Sequence, residues 1–73
     1  MSALDRQEGG DHYHVCEIQP VEYIHKNGLS FLEGCIVKRI TRYRKDSGKG
    51  EQDLHKIIHE AQLLLEFEYG YQK

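Results

Sequence analysis

A chain of 73 residues with 38% hydrophobic residues and a formal net charge of −2 makes one small domain, which buries only about 60% of the surface its unfolded chain exposes. That charge balance argues against general nucleic-acid binding, for which a strongly basic surface is expected, and the chain has no apolar run long enough to span a membrane. Two cysteines, Cys16 and Cys35, are too few for a disulfide scaffold, and the polar residues 1–10 carry no signal-peptide pattern, so a reduced, cytoplasmic protein is expected. A core this small without staples favours self-association into a homo-oligomer.

In chain order, residues 1–10 read as a flexible lead, with Gly9 and Gly10 among scattered charges. Residues 11–69 read as a single helical domain and residues 70–73 as a tail. The stretch from 11 to 19 is expected to be extended or loop. Pro20 suits the first position of a short helix with Glu22 in its first turn, and Asn27 with Gly28 closes that helix through a left-handed cap. Ser30 followed three residues later by Glu33 is a capping-box pattern, so a second helix should begin near Phe31 and run to about Lys45. Gly34 inside it costs about 1 kcal/mol against alanine and signals a close backbone approach.

Leu32, Ile36, Ile40 and Tyr43 would line the buried side of this second helix, while Lys38, Arg42 and Lys45 fall at i, i+4 and i+7 as a cationic stripe. Asp46 to Gly50 is a turn. The third helix follows, with Leu54, Ile57, Ile58, Ala61, Leu64 and Leu65 on one face, and ends near Tyr69 and Gly70. Leu63 and Phe67 lie off that stripe and would cover a second surface. The expected fold is all-α: one short helix plus an antiparallel helical hairpin, oligomeric.

Charge is unevenly spread. From Lys38 to Lys49 there are six cations against one acid, Asp46, whereas Glu51, Asp53, Glu60, Glu66 and Glu68 dominate after Gly50. This fits either a local anion site or a basic patch facing an acidic one on another protomer. Lys38, Arg42 and Lys45, with Arg39 and Arg44 nearby, supply the charge-assisted donors that a phosphate needs. The short Gly48-Lys49-Gly50 segment is no P-loop.

His55 and His59 stand at i, i+4, a spacing that can hold zinc, but Lys56 occupies the place of the glutamate in a His-Glu-x-x-His pattern, and a solvated surface is expected there. His12 and His14 alternate around Tyr13, which would put both on one side of an extended segment, suited to donating to phosphate or moving a proton. Glu51 and Asp53 are expected to serve the dipole of the third helix. With no inward-facing pair of carboxylates in the pattern, neither a metal nor another cofactor is called for.

Several of these elements resemble, in order, a family of small phage-encoded domains that includes the nucleotide kinase of short-tailed phages. Asp11-His12-Tyr13 matches its opening, and Ile18-Gln19-Pro20-Val21-Glu22-Tyr23-Ile24 matches its second element nearly in full. Asn27-Gly28-Leu29 and Phe31 follow in register; Gly34, Lys38, Arg42 and Tyr43 match its basic element, and Asp53, Leu54 and Lys56 its last. Cys35 stands where the family has asparagine, and Arg39 where it has tyrosine.

The resemblance, over about residues 11–65, implies nucleotide handling in infected bacterial cytoplasm. It implies phosphates held by Lys38 and Arg42, to which the helical spacing adds Lys45, a site completed by His12, Tyr13 and His14, and phosphoryl transfer between nucleotides as the family's activity. Sequestration of a nucleotide defence signal, or a protein-interaction role for the third helix, would use the same domain without transfer.

Overall fold

A computed structural model describes residues 16–70, which form three α-helices and no strand: α1 (Pro20–Lys26), α2 (Phe31–Arg42) and α3 (Glu51–Tyr69). The helices α2 and α3 pack together, and α1 packs on α2. Residues 1–15, with the expected lead and the His12, Tyr13 and His14 cluster, lie outside the described residues, as does the tail beyond Gly70.

Local chemistry sets each boundary. Pro20 opens α1, where a missing N–H costs nothing. Gly28 at φ +63° closes it: the Gly28 N–H donates to the His25 carbonyl at 3.1 Å and the Leu29 N–H to the Ile24 carbonyl at 3.0 Å, the two bonds of a Schellman motif. The capping box forms as expected, with the Glu33 carboxylate accepting from the Ser30 N–H at 2.8 Å and the Ser30 hydroxyl accepting from the Glu33 N–H at 3.4 Å. Gly34 is where α1 lies closest, since a Cβ there would sit 3.2 Å from Ile24 Cγ2.

The second helix stops at Arg42, three residues short of the expected Lys45. The loop folds back on the helix end and takes its last carbonyls, with the Lys45 N–H donating to the Arg42 carbonyl and the Gly50 N–H to the Tyr43 carbonyl, both at 2.9 Å. Gly48 passes so close that a Cβ would collide with the Arg42 carbonyl oxygen. Gly50, at φ +58° and ψ −128°, then starts α3 in a conformation that side chains rarely adopt.

The packing seam differs from the expected one. Of the α3 stripe expected to be buried, Leu54, Ile58, Ala61 and Leu65 are exposed, Ile58 to 56%, and only Ile57 and Leu64 are half-buried. The side of α3 that meets α2 carries Asp53, Ile57, Glu60 and Leu64 at i, i+4, i+7 and i+11, and Asp53 and Glu60 are its buried members. Hydrophobic patterning alone assigned the seam to the neighbouring stripe because it discounts carboxylates that arginines neutralise. On α2 and its C-cap, Leu32, Ile36 and Tyr43 are half-buried as expected, but Ile40 is 49% exposed.

Candidate functional site

Two arginines on α2 answer the two buried carboxylates on α3. Arg42 donates Nη2–H to Asp53 Oδ1 at 3.1 Å and Nε–H to Oδ2 at 3.3 Å. Arg39 donates Nε–H to both Glu60 oxygens at 3.1 Å, and its Nη1 lies 3.5 Å from Asp53 Oδ1. The Lys49 N–H adds a third donor to Asp53 at 3.0 Å. Asp53, 0% exposed, is held below the usual carboxylate range mainly by the Arg42 hydrogen bonds, which outweigh the opposing effect of its burial. Asp53 therefore does more than complement the dipole of α3, and inward-facing carboxylates do exist, each already paired with a guanidinium.

Beside this cluster, Cys35, Lys38, Arg39 and Arg42 line a hollow of about 100 Å³. Three of its four lining side chains are cationic: Arg39 and Arg42 face Asp53 and Glu60, and Lys38 stands exposed beside them. The C-terminal end of the α2 dipole opposes an anion here with only about half a charge.

Of the residues expected at the site, the structure brings Lys38 and Arg42 together. Lys45, half-buried in the turn after α2, is absent from the lining of that hollow. His12, Tyr13 and His14 lie outside the described residues. His55 and His59 are exposed on α3, and His55 Nε2 lies 3.0 Å from Glu51 Oε2. Among the described residues no three His, Cys, Asp or Glu side chains converge as a metal site. No helix among them is long and apolar enough to cross a membrane.

Sequence reasoning missed the roles of Arg39, Asp53 and Glu60. The spacing held a signal: Arg39 and Arg42 share a face of α2, as Asp53 and Glu60 do on α3, and antiparallel packing can match such pairs. Comparison with known protein families, curated proteins and solved structures finds no match for this chain.

Proposed function

We propose that this protein binds nucleotides, holding their phosphates on the basic face of α2 with Lys38 and Arg42 as the principal contacts and Lys45 at the margin. The observation that carries this reading is the hollow that Cys35 lines together with three cationic side chains, Lys38, Arg39 and Arg42. Asp53 fixes the orientation of the Arg42 guanidinium, so little side-chain freedom remains to be lost when an anion arrives. The resemblance to phage-encoded domains supports the same reading from other residues, and adds His12, Tyr13 and His14 to the site and a bacterial cytoplasmic setting.

Both departures from the family pattern, Cys35 and Arg39, fall on the wall of this hollow. That coincidence favours binding or sequestration of a nucleotide over phosphoryl transfer, in which rate depends on positioning and charge at this place. Calorimetric titration with nucleoside mono-, di- and triphosphates tests the binding. Wild type should bind at least one of them, and Lys38→Ala should weaken it about tenfold, in line with roughly 1.5–3 kcal/mol for a hydrogen bond to a charged group. Absence of heat with every nucleotide at millimolar concentration would overturn the reading, whereas turnover of a monophosphate with a triphosphate donor would restore the kinase activity.

A second reading, compatible with the first, is self-association through α3. Leu54, Ile58, Ala61 and Leu65 recur at the 4–3–4 spacing of a helix-pairing seam and are exposed. A second copy of the chain covers such a stripe with like residues.

A further inference from the structure

A second, larger hollow lies beside the basic one. Ile24, Leu29, Phe31 and Gly34 line a hollow of about 230 Å³ that shares two walls, Cys35 and Lys38, with the cationic one. Phe31, Cys35, Lys38 and Arg42 follow one another at i, i+4, i+7 and i+11, so they form a single stripe along α2. Along it, Phe31 stands two turns, about 10.5 Å of helix rise, before Lys38. Phe31 is 82% exposed, the most exposed large hydrophobic side chain among the described residues. One face of one helix thus runs from a bare aromatic ring, through an apolar hollow, to two cations.

We infer that this stripe is a nucleotide cradle, in which Phe31 stacks on the base while Lys38 and Arg42 take the phosphate. The inference rests on the nucleotide reading above and deepens it by assigning the base subsite and the ligand's direction. The direction follows from charge. The Glu33 carboxylate, held at the start of α2 by the Ser30 N–H, repels phosphate from the Phe31 end, and the cations gather it at the other. The ligand class is a nucleoside phosphate, as opposed to a sugar phosphate or inorganic polyphosphate, because only an aromatic base makes use of the exposed ring.

The base subsite also sets specificity. Its polar groups are few: the Ser30 hydroxyl, already bonded to the Glu33 N–H, the Cys35 thiol, and Lys38, which the phosphate claims. A base is therefore read by stacking area rather than by its donor and acceptor pattern. Purine nucleotides should bind more tightly than pyrimidine ones, with little distinction between adenine and guanine.

Equilibrium titrations with AMP, GMP, UMP, ribose 5-phosphate and pyrophosphate test this on wild type, Phe31→Ala, Phe31→Trp and Lys38→Ala. Phe31→Ala should weaken AMP and GMP about tenfold, as expected for one lost stacking partner, and leave ribose 5-phosphate and pyrophosphate unchanged. Phe31→Trp should retain or improve nucleotide affinity, and Lys38→Ala should weaken all the ligands. With a side chain so exposed, Phe31→Ala should unfold at the wild-type temperature, which keeps the comparison clean. If Phe31→Ala binds AMP as wild type does while Lys38→Ala does not, the cradle is wrong and the phosphate site stands. If neither AMP nor pyrophosphate binds wild type, both fall.

Discussion

Arg42 and Asp53 are joined by a two-pronged ion pair, Nη2 to Oδ1 at 3.1 Å and Nε to Oδ2 at 3.3 Å, that ties the end of α2 to the start of α3. The relationship gives Arg42 two tasks. It closes the helical hairpin, and it presents a fixed guanidinium at the wall of the candidate anion site. Any substitution there must be read for both.

Removing one partner of this pair should cost far more than a surface ion pair. Asp53→Ala leaves Arg42, still partly in contact with solvent, without its carboxylate, whereas Arg42→Ala leaves the enclosed Asp53 charge short of its principal partner. Arg42→Ala should therefore destabilise the fold by about 3 kcal/mol or more, the usual scale for an uncompensated buried charge, and Asp53→Ala by less. Chemical denaturation of the two variants checks this. A loss for Arg42→Ala within 0.5 kcal/mol of zero, the scale of a surface pair, would contradict it.

The same pair predicts an acid limb of stability. The Arg42 hydrogen bonds lower the Asp53 pKa in the folded state, against the opposing effect of its burial, so its ionised form stabilises the fold fully above the ordinary carboxyl value near pH 4, and that contribution fades as pH falls through the lowered folded value. Asp53→Asn should lower stability at neutral pH and show a shallower loss below about pH 4. Thermal unfolding between pH 2 and 7 reads both effects. A Asp53→Asn profile parallel to wild type throughout would remove Asp53 from the acid response.

The glycines of the hairpin should separate sharply. At Gly48 a Cβ would collide with backbone, the Arg42 carbonyl oxygen, and alanine there should cost about 3 kcal/mol, the upper part of the overpacking range. At Gly34 it would meet only the Ile24 side chain at 3.2 Å, and the gain of about 1 kcal/mol in helix propensity offsets that crowding, so Gly34→Ala should be near neutral. Equal losses in urea unfolding would contradict the loop geometry.

The exposed stripe on α3 should drive association. Light scattering of wild type should give a mass above that of one chain at micromolar concentration, and Ile58→Glu, at a side chain 56% exposed, should return it to one chain with helicity intact. A wild type that stays a single chain at every concentration would remove this role from the stripe.

Much of the fold was legible in the sequence because it is written in local chemistry. Pro20, the Ser30–Glu33 box and the glycines Gly28, Gly50 and Gly70 act within a turn or two of themselves, and the helices begin and end where those residues require, apart from the end of α2. That end was misjudged because the competing bonds come from Lys45 and Gly50, residues beyond the helix. The seam between α2 and α3 was misjudged for a different reason. Apolar periodicity marks the stripe of Leu54, Ile58 and Leu65, but the buried positions are carboxylates whose burial depends on Arg39 and Arg42, 21 and 11 residues away. Of the candidate site, Lys38 and Arg42 were visible as a helical stripe, whereas Phe31 was seen only as a helix start, since its exposure depends on how α1 and α3 pack.

Backbone amide chemical shifts, followed by two-dimensional NMR while AMP is titrated into the 15N-labelled chain, test the central claim most directly. The expected result is a saturable set of shifts concentrated on the α2 stripe from Phe31 through Cys35 and Lys38 to Arg42, with the exposed α3 stripe of Leu54, Ile58 and Leu65 little changed. Shifts confined to α3, or none at millimolar AMP, would contradict a nucleotide site on this helix.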